Sequence, residues 1–293
     1  MATIYLNGEY LPADQPCISP LDRGFVFGDG IYEVIPVYNG HLFRLEEHLD
    51  RLDNSLASVS IKTSLSHQDW HSLLTELVSR NGDGNQSIYL QITRGVAARD
   101  HAFPNEISPT IFAMSNPLKP VPEETHQHGV SAITLEDIRW KYCHIKTIAL
   151  LPNVLLRQQA LDAGAVEAIL IRDNEVTEGA ASNLFIVRDG VIITPPKGPV
   201  LLPGITRDLV LELAQQTDIP CRETSISPDE LKAADEIWLT SSTKEILPVT
   251  RLDGQAVGTD PADKPGPLWQ RMIAIYQDYK QQYPDQIEAQ DKA

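Results

Sequence analysis

Residues 141–153 read Lys-Tyr-Cys-His-Ile-Lys-Thr-Ile-Ala-Leu-Leu-Pro-Asn and set Lys146 between apolar neighbours instead of on a charged, solvated face. Burial disfavours the ammonium form and lowers the pKa of a lysine side chain. A neutral amine can attack a carbonyl carbon and form a Schiff base, so Lys146 is a candidate catalytic residue. A structural lysine whose ammonium group reaches water fits the same pattern, and this stretch alone leaves both interpretations open.

A candidate partner for Lys146 lies in residues 176–185, Val-Thr-Glu-Gly-Ala-Ala-Ser-Asn-Leu-Phe, which we interpret as a turn of small residues around Glu178. Pyridoxal phosphate chemistry requires a lysine that holds the aldehyde and a carboxylate that keeps the ring nitrogen protonated. Together the two segments resemble the fold-type IV pyridoxal-phosphate aminotransferases, a family that includes D-amino-acid and branched-chain aminotransferases and aminodeoxychorismate lyase. The resemblance extends over almost the whole chain.

The composition is that of an ordinary globular protein. The chain has 293 residues, of which 42% are hydrophobic, so it can form one large or two moderate domains. Its 40 acidic and 24 basic residues give a net charge of −16, which disfavours binding to nucleic acid or to anionic membranes. The first residues lack a basic segment and a long apolar run, so we expect no signal peptide and no membrane span.

The cysteines and histidines give no indication of a metal site. Cys17, Cys143 and Cys221 are far apart in sequence, which argues against a disulfide framework or a zinc motif and is typical of a cytoplasmic protein. His126 and His128 have no further ligand cluster near them, so we expect solvent-exposed polar residues there and no metal.

The order of elements predicts an α/β (α+β) protein of two domains. An Asn7-Gly8 hairpin opens the chain, and a strand at residues 110–114 is followed by the stiff, proline-rich stretch 116–122. We therefore expect a small α+β N-terminal domain at residues 1–118, a linker at 119–123 and a larger domain at 124–293. The resemblance implies that the larger domain is a pseudo-barrel that binds the cofactor.

The resemblance also implies which residues bind pyridoxal 5'-phosphate. Lys146 would be the Schiff-base lysine, Glu178 the partner of the ring nitrogen, and Arg51 a phosphate ligand. The loop that enters a helix at Gly204 has free backbone amides that suit a phosphate, although Thr206 as a plain N-cap fits the same pattern. The implied cofactor-binding residues are Arg51, Lys146, Glu178, Ser182, Asn183, Leu202, Gly204, Ile205, Thr206, Ser241 and Ser242.

Arg99 and His101 are two positions apart in one loop, so they can converge on a single anion, although such a pair is also common on ordinary surface loops. Within the resemblance to the family, Arg99-Asp-His101 of this chain is similar to the residues that bind the substrate carboxylate in D-amino-acid aminotransferases, the carboxylate trap. The resemblance also puts Tyr32 and Val34 on the cofactor side of their strand and Glu33 on the opposite side. The implied substrate-binding residues are Tyr32, Val34, Arg99, His101, Ser242 and Thr243.

The expected function is transamination of D-amino acids with a 2-oxo acid, 2-oxoglutarate or pyruvate, by a ping-pong mechanism in which Lys146 is also the general acid and base. The family implies a homodimer in which the loop with Arg99 and His101 is given to the neighbouring subunit. A branched-chain L-amino-acid aminotransferase, an aminodeoxychorismate lyase and a non-enzymatic regulatory protein that binds the cofactor remain alternatives.

Overall fold

The structure, a computed structural model, describes residues 2–258 and 264–290, and it divides into two compact units. The first unit comprises Met1–Lys119 and Ile145–Leu150, and the second comprises Pro120–His144 and Leu151–Ala293. The expected boundary at residues 119–123 assigns residues 145–150 to the second domain, whereas they group here with the first unit. The expected end of the second domain, at residue 293, lies outside the described residues.

The first unit is an antiparallel sheet with helices, and its described part has six strands in the order β2-β1-β6-β5-β3-β4. The strands are β1 (Thr3–Leu6), β2 (Glu9–Pro12), β3 (Gly30–Tyr38), β4 (His41–Leu42), β5 (Gln86–Thr93) and β6 (Thr110–Pro117). The helices are α1 (Arg23–Phe27), α2 (Leu45–Ser58) and α3 (His67–Arg80).

Local sequence explains these elements. Asn7 and Gly8 both have positive φ, at 49° and 102°, and connect β1 to β2 as the predicted hairpin. Helix α2 buries an apolar stripe, in which Leu49 and Leu52 have almost no exposed surface. The buried face of α2 packs into the core of this unit with alternate residues of β3, such as Ile31 and Ile35.

Residues 23–27, for which the sequence predicted no helix, form the single-turn helix α1. Its N-cap residue Asp22 accepts a hydrogen bond from the Gly24 backbone N–H at 2.8 Å. Gly28 ends the helix in the left-handed conformation, at φ 68°. Glycine normally disfavours a helix, but here Gly24 is required by close packing. A Cβ at this position would lie 2.3 Å from Cγ2 of Thr93.

The second unit is built on a curled sheet, with nine strands in the described part of the chain. Eight of them follow the order β12-β11-β10-β13-β14-β7-β8-β9, and β15 pairs with β14. The strands are β7 (Val130–Glu136), β8 (Glu167–Arg172), β9 (Glu175–Gly179), β10 (Asn183–Arg188), β11 (Val191–Thr194), β12 (Cys221–Glu223), β13 (Glu236–Ser241), β14 (Glu245–Leu252) and β15 (Gln255–Ala256). The helices are α4 (Glu123–His128), α5 (Leu151–Asp162), α6 (Ile205–Gln216), α7 (Pro228–Lys232) and α8 (Pro267–Gln290).

The prediction that Glu178 lies inside a turn is wrong. Glu178 lies on β9, which pairs with β8, and the turn of small residues begins only after Gly179. The β-branched Val176 and Thr177 favour the strand, and the sheet extends it to the glycine. Among the described residues, no helix is long and apolar enough to cross a membrane.

Candidate active site

In the first unit, the irregular segment around Lys146 lies beside β3. The Lys146 carbonyl accepts a hydrogen bond from the Tyr32 backbone N–H at 2.9 Å, and Thr147 forms an isolated antiparallel bridge with Ile31. Lys146 itself is half-buried, and its Nζ lies 4.2 Å from the centroid of the Tyr32 ring. These contacts give the lysine a defined place over an aromatic face, where its ammonium group is attracted by the ring.

The alternation along β3 agrees with the predicted sides of the strand. Tyr32 and Val34 are half-buried, and the Tyr32 ring lies 5.6 Å from that of Tyr89 on β5. Glu33 points the other way and is 1% exposed. One strand therefore presents an aromatic group beside Lys146 and a carboxylate to the core.

Glu33 is held by two residues of α2. Its Oε1 accepts a hydrogen bond from Arg51 Nε at 2.7 Å, and its Oε2 accepts from Arg51 Nη2 at 2.7 Å. His48 Nδ1 lies 2.8 Å from the same Oε2. Burial alone would raise the pKa of Glu33, but Arg51 and His48 outweigh it and hold that pKa well below its usual range.

Arg51 and His48 are thus buried partners of Glu33. Charged helix residues usually face solvent, but these two do not. Burial lowers the pKa of His48, so the ring is neutral and its Nδ1–H can donate to Glu33. The guanidinium of Arg51 is hydrogen-bonded to Glu33. Its contact with a cofactor phosphate stays a prediction.

Arg99 and His101 are both exposed, and the structure brings them to the same aromatic ring. The Arg99 guanidinium lies 5.2 Å from the centroid of the Phe27 ring, and the His101 ring lies 5.4 Å from it. Phe27 is the last residue of α1. The two side chains can therefore donate hydrogen bonds to one anion, as their spacing in the loop predicts.

In the second unit, Glu178 is buried and accepts three hydrogen bonds. Oε1 accepts from Arg139 Nη1, and Oε2 accepts from Asn183 Nδ2 at 3.2 Å and from the Leu202 backbone N–H at 3.1 Å. Burial nevertheless raises the pKa of Glu178 to about 7, against the opposing effect of Arg139 and the Leu202 amide. Three predicted cofactor ligands, Glu178, Asn183 and Leu202, are therefore connected by hydrogen bonds.

Sequence reasoning missed Arg139 and its partner Asp137. Arg139 donates Nε to Oδ1 and Nη2 to Oδ2 of Asp137, each at 2.9 Å, and Arg172 adds an ion pair to Asp137 at 3.0 Å. Both side chains of the Arg139–Asp137 pair are buried. Opposite charges two positions apart, just before an apolar segment with a lysine, were the signal that could have identified them.

Helix α6 supplies the turn that was predicted to bind phosphate. Its N-cap is Gly204, so the alternative that Thr206 is the N-cap is wrong, and among the described residues no side chain caps the helix. The amides of Ile205 and Thr206 lie in the first turn, at the positive end of the helix dipole. A Cβ on residue 204 would lie 1.9 Å from Oδ1 of Asn183, so this turn requires glycine.

Ser182 and Ser241, both predicted ligands, line one small cavity of the second unit with Glu167 and Lys244. Ser182 Oγ donates to Glu167 Oε2 at 3.1 Å. Ser242 and Thr243 are half-buried in the turn between β13 and β14. The buried Oγ1 of Thr240, which the sequence did not indicate, has no hydrogen-bond partner among the described residues.

Residues 30–252 match the family model of amino-transferase class IV. The D-alanine aminotransferase of Bacillus licheniformis is 44% identical over 265 residues, which cover 90% of this chain and 92% of that protein. The D-alanine aminotransferase of Staphylococcus aureus strain COL is 40% identical over 280 residues, covering 95% of this chain and 98% of that protein.

Two solved structures of similar fold are those of branched-chain amino acid aminotransferases. The enzyme of T.th. with pyridoxamine 5'-phosphate has a TM-score of 0.89 at 27% identity, over 94% of this chain and 93% of that one. The enzyme of Escherichia coli has a TM-score of 0.88 at 27% identity, over 93% and 92%. The predicted fold-type IV architecture is confirmed, and the chain belongs to the class IV aminotransferase family.

Proposed function

We propose that this chain transfers amino groups between D-amino acids and 2-oxo acids, with 2-oxoglutarate or pyruvate as acceptor. The observation that carries the proposal is the 40–44% identity, over almost the full length, to relatives that are D-alanine aminotransferases. The branched-chain enzymes with known structures share only 27% of their residues with this chain. The exposed Arg99 and His101 at one ring support the same assignment.

The residues present fit pyridoxal 5'-phosphate. Glu178 is a buried carboxyl whose raised pKa would fall beside a cationic ring nitrogen, and α6 offers uncapped backbone amides to a phosphate. The hydroxyl of Thr240, which has no hydrogen-bond partner among the described residues, is a further donor in the same unit. When bound, the cofactor supplies an aldehyde that joins amines and a ring that withdraws electrons.

Each residue then has a distinct task. Lys146 would supply the amine that holds the cofactor, and as general base and acid it would remove the proton from the substrate Cα. Glu178 would keep the ring nitrogen protonated. In the ping-pong order, the first 2-oxo acid would leave while its amino group stays with the cofactor, and after the second 2-oxo acid has received that group, Lys146 would return a proton to its Cα.

Arg99 and His101 would bind the substrate α-carboxylate together with the Tyr32 hydroxyl. Charge-assisted hydrogen bonds of this kind contribute about 1.5–3 kcal/mol each, which is enough to fix the orientation of a small amino acid. Ser242 and Thr243 stay predicted substrate-binding residues of the second unit. Because Lys146 acts from one face, the position of the carboxylate decides which enantiomer presents its Cα–H.

The fold similarity to branched-chain enzymes keeps L-amino-acid transamination as a second candidate. An assay of amino donors in both enantiomers with 2-oxoglutarate and pyruvate separates the two. Faster consumption of D-alanine and D-glutamate supports the proposal, and faster consumption of L-leucine supports the branched-chain assignment. Pyruvate elimination from a chorismate-derived amine would indicate a lyase, and cofactor binding without turnover would indicate a regulatory protein.

We also propose that the active form is a homodimer. Each unit exposes large apolar side chains that a partner surface would cover. In the first unit these include Leu21, Phe25, Val96 and Phe103, and in the second Ile138, Trp140, Tyr142, Val154 and Leu155. Phe103 and Val96 flank Arg99 and His101, which supports donation of this loop to the neighbouring site. Sedimentation of an active, strictly monomeric species would contradict the dimer.

The proposed place of action is the cytoplasm. Cys17, Cys143 and Cys221, all in the described part of the chain, are free thiols, as expected in a reducing compartment. Fractionation of cells that produce the protein tests this directly. Recovery of the activity outside the cytoplasmic fraction would contradict it.

A further inference from the structure

The loop at residues 96–104, which carries Arg99 and His101, lacks regular secondary structure but is held from beneath by a buried arginine. Arg23 is 3% exposed, and its Nη1 donates to the Asp100 carbonyl at 2.6 Å and to the Ala102 carbonyl at 3.4 Å. Asp100 and Ala102 are the two residues that flank His101. Arg23 therefore fixes the backbone on both sides of that histidine.

A second buried arginine holds the far end of the loop. Arg94 is 4% exposed, and its guanidinium lies 3.6 Å from the centroid of the Phe103 ring. It also donates Nη2 to the Val59 carbonyl at 2.7 Å and Nη1 to the Ser60 carbonyl at 3.1 Å. Arg94 thus ties the loop to the segment that follows α2.

Asp29 joins the two arginines. Its Oδ2 accepts from Arg23 Nε at 2.8 Å and from Arg94 Nε at 2.7 Å, and its Oδ1 accepts from Arg94 Nη2 at 3.0 Å. Burial alone would raise the pKa of Asp29, but hydrogen bonds from Arg94 and Arg23 outweigh it and lower that pKa. Without this carboxylate, two guanidinium groups would repel each other in a poorly solvated place.

Arg23 also contacts the aromatic ring that Arg99 and His101 share. The Arg23 guanidinium lies 4.8 Å from the centroid of the Phe27 ring, the ring that Arg99 and His101 both contact. One carboxylate therefore controls, through Arg23, both the backbone beside His101 and the surface against which both side chains rest. An ion network that only stabilised the fold would not require contacts both with the backbone beside His101 and with the Phe27 ring.

We propose that Asp29 is a positioning residue that sets the orientation of Arg99 and His101 toward the substrate carboxylate, and through it the preference between D- and L-amino acids. This inference rests on the proposed function and extends it to a residue that touches neither substrate nor cofactor. Asp29 makes and breaks no bond in the reaction.

The test compares the wild-type holoenzyme with Asp29→Asn, which keeps the shape but removes the charge. With Asp29→Asn we expect the KM for D-alanine to rise roughly tenfold, kcat to stay within about twofold, and the D/L ratio of kcat/KM to fall roughly tenfold. The cofactor absorbance should not change. Glu76→Gln is the matched control, because Glu76 forms an exposed ion pair with Arg80 whose loss should leave all these values unchanged.

A double-mutant cycle separates positioning from general destabilisation. In an Arg99→Ala background, Asp29→Asn should have little further effect on the D/L ratio, because the side chain that it positions is gone. An equal loss of the ratio in both backgrounds would overturn the inference, as would a wild-type KM and ratio in Asp29→Asn.

A milder variant covers the case in which Asp29→Asn does not fold. Phe103→Leu removes the exposed ring that lies on Arg94 and should shift KM and the D/L ratio in the same direction by a smaller factor. If Asp29→Asn does not fold, an unchanged KM and an unchanged D/L ratio of kcat/KM in Phe103→Leu would refute the positioning role. Failure of the proposed function itself would be visible earlier, as a wild-type enzyme without preference for D-alanine.

Discussion

The Nζ of Lys146 lies 4.2 Å from the centroid of the Tyr32 ring, and the backbones of the same two residues share a 2.9 Å hydrogen bond. Tyr32 is on β3, which pairs with β5 along almost its whole length, so the lysine is oriented by a regular element although its own segment is irregular. An ammonium group over an aromatic face is stabilised by about 0.5–2 kcal/mol. This contact gives the proposed catalytic amine one preferred direction before any substrate binds.

Replacement of Lys146 by Ala should lower kcat by at least about 10²–10⁴-fold, the usual contribution of a positioned proton-transfer group. The loss should be accompanied by loss of covalent attachment of the cofactor, measured by its release on denaturation and by absorbance. Tyr32→Phe, which keeps the ring under the amine, is the control that should retain the attachment. Near-native turnover by Lys146→Ala would move the catalytic role to another residue.

Glu178→Gln should leave cofactor binding largely intact but slow the removal of the Cα proton. An amide cannot hold the ring nitrogen protonated as a carboxylate does, so the ring withdraws electrons less well. Stopped-flow single turnovers with D-alanine labelled with deuterium at Cα measure this step directly. Identical single-turnover rates in the wild type and the variant, both fully loaded, would assign the ring nitrogen to a different partner.

The raised pKa of Glu178 also predicts a pH dependence of stability in the chain stripped of its cofactor. The unfolded carboxyl titrates near 4.5 and the folded one at about 7, so the folded chain keeps the proton to higher pH. The free energy of unfolding should therefore fall as the pH rises from about 4.5 to about 7. Urea unfolding across this range should show a shallower fall for Glu178→Gln, and an unchanged slope would contradict the raised pKa.

Removal of the carboxylate that pairs with Arg51 should destabilise the first unit. Glu33→Gln removes the carboxylate that pairs with the buried guanidinium of Arg51, and breaking a buried ion pair typically costs about 3–5 kcal/mol. The midpoint of urea denaturation should drop accordingly, whereas Glu76→Gln on the surface should change it little. A loss below about 1 kcal/mol would show that Arg51 has an alternative buried partner.

Much of the fold followed from local sequence. The turn at Asn7-Gly8 was predicted correctly, because hairpin turns are specified by nearby residues. Helix α1 was not predicted, because Gly24 within it and Gly28 at its C-cap disfavour a helix, and its single turn is fixed by the Asp22 cap and by packing against Thr93. The strand position of Glu178 depends on pairing with β8, which its own segment does not encode.

The candidate site was only partly accessible from the sequence, for a related reason. Chemistry-bearing residues such as Lys146 and Glu178 are recognisable from their neighbours and from the family. Their supporting partners are not: Arg139 reaches Glu178, and Asp29 reaches Arg94, across long separations in sequence. Such ion pairs are made by tertiary packing, so a local pattern can mark a charged residue but not the distant partner that it contacts.

The central claim is that the enzyme distinguishes enantiomers by where Arg99 and His101 hold the carboxylate. It is tested most directly by rapid half-reactions of the cofactor-loaded protein with D- and L-alanine and with D- and L-glutamate, followed by absorbance. The account predicts that the D-isomers react far faster, and that Arg99→Ala lowers kcat/KM by roughly one to two powers of ten and erodes the preference. A wild-type protein that consumed L-leucine faster than any D-amino acid would contradict it.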